Sequence, residues 1–236
     1  MPILSPHLLR NLLHLVYPNV CIACKSLLAD DEDHLCRLCV GDFDRFMLPG
    51  ESADAMMASL NEHFPSQTEV DDAVSLYRFH KDGLLQHAIH AFKYDGLPSV
   101  AVQLGEQLGK HLSAERPDAR LDGIVPLPLH KLKFIERGYN QAEKLAQGVS
   151  RILGVPVLVD TAKRTRYTSS QTGFDLSGRE KNISGAFHCP KPLTNQRLVL
   201  VDDVFTTGAT LRVCAAALKA AGASHITIAS LAVAGN

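Results

Sequence analysis

Apolar positions along this 236-residue chain switch repeatedly between a period near two and a period near 3.6, and each switch marks a change of element. Leu8, Leu9, Leu12, Leu13 and Val16 recur at helical spacing behind Pro2 and Pro6, predicting one amphipathic helix that packs on the body of the protein. Residues 73–79 alternate apolar with polar, as a half-exposed strand does. Residues 84–92 take up the helical period, and 99–112 repeat it with Ala101, Leu104, Leu108 and Leu112 on one side. The remainder reads as strand 123–127, helix 139–153, strands 156–159 and 198–201, helix 208–221 closed by Gly222, and strand 225–233. Strands interleaved with helices predict an α/β protein whose parallel sheet is flanked by helices. Pro49-Gly50 opens a polar stretch, so the expected division is an N-terminal helix and small module at 1–48, a linker at 49–71 and the α/β domain at 72–236.

The densest chemistry lies in LVLVDDVFTTGATL, residues 198–211. Leu198 to Val201 form the short apolar run of a strand covered on both faces. Asp202 and Asp203 follow at its carboxyl end, where open α/β sheets bind ligands. Carboxylates there accept hydrogen bonds from sugar hydroxyls and also suit Mg2+. Thr206, Thr207, Gly208, Ala209 and Thr210 bring hydroxyls and unpaired N–H groups to a helix start, an arrangement that attracts phosphate, and Gly208 permits close backbone approach. A ribose phosphate satisfies both halves. Two further segments add cations: Lys131, Lys133 and Arg137 follow the rigid Val125-Pro126-Leu127-Pro128 turn, and Arg164, Arg166, Gln171, Arg179 and Asn182 lie in a stretch, 161–187, with no clear hydrophobic period. As a lid that stretch would exclude water and set positive charge against an anionic group on the ligand.

Cys21-x-x-Cys24 and Cys36-x-x-Cys39, separated by eleven residues, have the spacing of a four-cysteine zinc site. A closed tetrahedral shell makes the metal structural, folding a segment too small for a core of its own. His34 is a possible substitute ligand, but its acidic neighbours, Asp30 to Asp33, favour a solvated loop histidine. Cys189 and Cys214 have no close partner in sequence and read as structural, and His87 with His90, at i,i+3, lack a third ligand.

Net charge is −1, which argues against a globally basic nucleic-acid binder, but it is unevenly spread. Residues 29–72 hold twelve acids against two arginines, a net of −10, while 130–181 hold ten Lys or Arg against five acids, a net of +5, a region an anionic substrate would prefer. No run approaches the roughly 18 apolar residues needed to span a membrane, and the N-terminus lacks the marks of a signal peptide, so the expected location is cytoplasmic.

The pattern from Leu198 to Thr210 resembles the phosphoribosyl pyrophosphate (PRPP) signature of type I phosphoribosyltransferases. That resemblance implies that Asp202 and Asp203 hold the ribose hydroxyls, that residues 206–210 cradle the 5-phosphate, and that Mg2+ accompanies PRPP. VPLPLHKLKFIERGYNQAEKLA at 125–146, RTRYTSSQTGF at 164–174 and the R-x-x-N-x-x-G-A-F run at 179–187 extend it to the ComF family, the GntX-type members in particular. It implies a type I phosphoribosyltransferase-like fold behind a zinc-ribbon-like module, and a role in natural competence or in using extracellular DNA. Phe174-Asp175 stands where Leu-Ser is more usual, and Lys131-Leu132-Lys133 varies a more Arg-rich run, departures that fall on the lid and its approach. The alternative is a non-enzymatic component of DNA uptake whose basic face contacts single-stranded DNA and whose zinc module holds a partner. Scarce aromatics, no Trp and only 9 Phe with 5 Tyr, weaken a base-stacking groove.

Overall fold

The computed structural model describes residues 19–165 and 185–235. Four parallel strands form the main sheet: β1 (Asp72–Phe79), β2 (Gly123–Pro126), β5 (Arg197–Phe205) and β6 (His225–Ala234), in the order β1-β6-β5-β2. The near-continuous apolar composition of β5 and β6 follows from burial on both faces. Val74, Leu76, Val199, Val201, Ala229 and Leu231 meet helices α3 (Leu84–Tyr94), α4 (Pro98–Glu115) and α6 (Gln141–Leu153) on one side. On the other, Leu198, Leu200, Ile226 and Ile228 meet α2 (Glu51–His63) and α7 (Ala209–Ala220). The expected parallel sheet flanked by helices is therefore present.

Four local expectations differ from the outcome. The polar stretch 49–71 contains α2, because Met56 and Leu60 recur at i,i+4 and are fully buried against the sheet. The strand expected at 156–159 is reduced to a single bridge, Val157 beside Ile124, with the Ile124 N–H donating to the Pro156 carbonyl at 2.9 Å. The helix expected at 139–153 begins at Gln141, and a separate short helix, α5 (Lys131–Arg137), precedes it, ended by Gly138 at φ 79°. In the stretch read as patternless, β3 (Lys163–Arg164) pairs antiparallel with β4 (Phe187–His188). The proposed N-terminal helix and the lid residues Arg166, Gln171 and Arg179 lie outside the described residues.

The cysteine-bearing segment, with its short helix α1 (Arg37–Gly41), shares the core of the α/β body. Cys21, Leu35, Cys36, Cys39 and Phe43 are buried in one cluster with Val74 and Tyr77, and the Phe43 ring meets Tyr77 edge-on at 5.3 Å. Residues 44–46 run antiparallel to the outer edge of β1, with the Arg78 N–H donating to Asp44 at 2.7 Å and the Phe46 N–H to Leu76 at 3.3 Å. An edge strand left bare would invite intermolecular pairing, so this segment also protects the sheet.

Candidate functional site

Strand β5 carries the chain from the core to the site, and its last four residues are Asp202, Asp203, Val204 and Phe205. Successive side chains on a strand diverge, and the two acids accordingly have different surroundings. Asp203 is 4% exposed, and its Oδ2 lies 2.5 Å from Lys93 Nζ at the end of α3. Asp202 is half-buried and lines a small pocket of about 60 Å3 with Val204, Thr206, Thr207, Gly208, Ala209, Thr210 and Leu211. Its Oδ1 accepts the Asp203 N–H at 2.8 Å. Burial, and after it the adjacent carboxylate of Asp203, push the Asp202 carboxyl up to about 7, against opposing pulls from the Asp203 N–H, Lys93 and Arg164.

The loop into α7 has the layout of a helix start that favours anions. Gly208, at φ 75°, caps the helix without a side-chain hydrogen bond. The Arg212 N–H donates to the Gly208 carbonyl at 2.8 Å, and the helix start leaves the N–H groups of Ala209, Thr210 and Leu211 ahead of it for an acceptor beyond the backbone of the described residues. Gly208 has a packing duty besides the close approach expected of it: a Cβ there would stand 2.5 Å from Leu60 Cδ2 and 2.6 Å from Phe205 Cε2.

The other expected cations are unevenly placed. Arg164 on β3 lies close enough to influence Asp202, and its guanidinium sits 5.5 Å over the Phe187 ring. Arg137 covers the Tyr94 ring at 5.2 Å, with Nη2 3.4 Å from the Tyr94 hydroxyl oxygen. Lys133 is partly exposed on α5. Much of the segment 137–141 serves as a clasp. The Tyr139 hydroxyl donates to the Phe92 carbonyl, and Asn140 Nδ2 donates to the Leu127 carbonyl at 3.0 Å while its Oδ1 accepts the Ala142 N–H at 3.0 Å. The ends of α3 and β2 are thereby tied to the start of α6. Lys93 is the site residue that sequence reasoning missed. It lies 110 positions before Asp203, and no spacing rule links a lysine in a last helical turn to a distant strand.

A second site gathers Cys21, Cys24, Cys36 and Cys39, whose sulfurs all lie within 4.8 Å of one another. Cys24 and Cys36 Sγ are 3.7 Å apart, close to the separation of about 3.8 Å that a tetrahedron with Zn–S bonds of about 2.3 Å requires, and far from a disulfide bond. The Cys36 N–H donates to Cys21 Sγ and the Cys39 N–H to Cys36 Sγ, both at 3.4 Å, as in a metal-binding knuckle. Glu32 braces the knuckles, its carboxylate accepting the Ala29 and Arg37 N–H groups at 2.9 and 2.7 Å. His34 is turned to Ser99 Oγ at 2.6 Å, not into the cluster. The donor set fits a thiophilic tetrahedral metal such as zinc.

Comparison with known proteins agrees with this geometry. Residues 140–236 match the model of the phosphoribosyl transferase domain, a stretch that includes β5, its acids, the loop after them and α7. Competence protein F of Haemophilus influenzae is 37% identical over 47% of this chain and 50% of its own length. DNA utilization protein YhgH of Escherichia coli is 31% identical over 61% of this chain and 65% of its own, and competence protein ComFC of Bacillus subtilis 26% identical over 89% and 83%. The matched part thus spans half to about two thirds of the first two relatives. Among solved structures, a purine phosphoribosyltransferase from Pyrococcus horikoshii is 25% identical, covering 56% of this chain and 74% of that one at a TM-score of 0.36. The parallel sheet flanked by helices and the match over residues 140–236 define a phosphoribosyltransferase-type domain in that part of the chain. The relatives it resembles carry competence and DNA utilization names.

Proposed function

We propose that this protein binds PRPP with Mg2+ at the end of β5 and acts in natural competence or the utilization of extracellular DNA, as the names of its relatives suggest. One observation carries the binding half: Asp202 and the N–H groups opening α7 line the same pocket, a carboxylate for sugar hydroxyls beside donors for a phosphate. In phosphoribosyl transfer C1 gains oxocarbenium character as pyrophosphate departs, so catalysis needs placed charge more than covalent chemistry. Asp202 would orient the ribose and stabilise positive charge, residues 206–210 would hold the 5-phosphate, and Arg137, Lys133 and the lid cations would neutralise pyrophosphate. Mg2+ would enter on the pyrophosphate. The four cysteines would hold zinc in a structural role.

Calorimetry with PRPP and Mg2+ tests the reading. Wild-type protein is expected to bind, and Asp202→Asn to lose about tenfold or more in affinity with its circular dichroism unchanged, since a hydrogen bond to a charged group contributes about 1.5–3 kcal/mol. Equal binding by the two proteins would remove the proposal. Pyrophosphate release screened against nucleobases then asks whether transfer follows.

A further inference from the structure

Lys93 joins the acid pair from outside the 198–211 signature. Its side chain is 18% exposed and that of Asp203 6%, so ammonium and carboxylate have both left water, a loss tolerable only because they meet at 2.5 Å. The lysine is held by a braced helix end. The Tyr139 hydroxyl donates to the carbonyl of Phe92 on one side of it, and Arg137 packs over the ring of Tyr94 on the other. Asp202, by contrast, faces the pocket formed with the phosphate loop.

This division has an electrostatic consequence for a ligand bearing phosphate groups. Two adjacent carboxylates without a cation would either share a proton or repel such a ligand. Lys93 cancels one of the two charges. We propose that Lys93 is a positioning residue of the phosphoribosyl site: its ammonium consumes the charge of Asp203, so that Asp202 alone serves as the anionic acceptor for a hydroxyl of a sugar phosphate. This rests on the PRPP reading above and deepens it, because it assigns the adjacent acids unequal roles and makes charge cancellation a condition of binding.

A double-mutant cycle tests the idea, with PRPP and Mg2+ as the probe. Lys93→Met alone strands the buried Asp203 charge and is expected to weaken PRPP binding about tenfold or more, and Asp203→Asn alone strands the ammonium and weakens it too. Lys93→Met combined with Asp203→Asn restores an uncharged pair and is expected to return affinity to within about threefold of wild type. Lys93→Arg keeps the charge and retains binding. If the double variant binds as weakly as Lys93→Met, the lysine acts on the ligand directly and the proposal falls. Should wild-type protein fail to bind PRPP, the functional reading fails by itself. The ion-pair role is then decided by urea unfolding of the same four proteins, where additive losses overturn it and recovery in the double variant upholds it.

Discussion

Asp202 answers two opposed demands. Burial and the neighbouring Asp203 carboxylate raise its carboxyl to about 7, yet a sugar hydroxyl donates best to the ionised form. Between about pH 4 and 7 the folded protein therefore holds a proton that the unfolded chain releases. Stability from this group is full below the unfolded value, falls as pH rises toward about 7, and is level above it. Urea titrations across this range should show that decline in the wild type and lose this contribution in Asp202→Asn. Ligand binding runs the opposite way: PRPP affinity should strengthen as pH climbs from about 6 to about 8, with proton release below the midpoint visible as buffer-dependent calorimetric heats. Gly208 offers a second test at this scale. An alanine there must adopt φ 75° and drive Cβ against Leu60 and Phe205, so Gly208→Ala should cost about 2–4 kcal/mol in denaturant unfolding and weaken PRPP binding through the displaced loop.

Helices α4 and α6 meet backbone to backbone. A Cβ on Gly105 would stand 2.2 Å from the Leu145 carbonyl oxygen, and one on Gly148 would stand 2.1 Å from that of Val102. No side-chain rotation relieves a clash with backbone. Gly148→Ala should therefore destabilise by about 3 kcal/mol, read as a lower urea midpoint with an unchanged m value, whereas alanine at the open Gly41 meets nothing within 4 Å. The approach brings α6 onto the sheet beside β2 and β5, fixing where Asn140 can clasp Leu127. Helical periodicity marked both segments, but it could not say which small residues would face each other, because that depends on the crossing of two helices separated by β2 and α5.

At the scale of the whole molecule, the cysteine cluster is continuous with the core beneath α3 and α4. Metal removal should thus loosen the body of the protein and not just an appended tail. Chelation, or Cys36→Ser, is expected to lower the global melting temperature by about 10 °C or more, monitored by circular dichroism alongside elemental analysis of zinc. Among the described residues no helix is long and apolar enough to cross a membrane. The amino ends of the strands, opposite the loop that opens α7, carry ion pairs of their own: Asp72 holds Arg116 at 2.7 Å and Asp71 holds Lys219 at 2.7 Å.

The α/β class, most helix and strand positions, the strand–acid–loop–helix unit at 198–211 and the cysteine quartet were legible in the chain, because each is written in local periodicity or close spacing. Residues 49–71 misled because their polar surface residues mask an i,i+4 pair, Met56 and Leu60, whose burial depends on β1 and α7. The partition of Asp202 and Asp203 into a pocket-lining acid and an ion-paired one, the arrival of Lys93, and the fusion of the cysteine segment with the main core were decided only on folding. Their physical reason is the same: each arises where segments far apart in sequence exclude water together, and burial, charge pairing and close approach are properties of that meeting and not of any one stretch of chain.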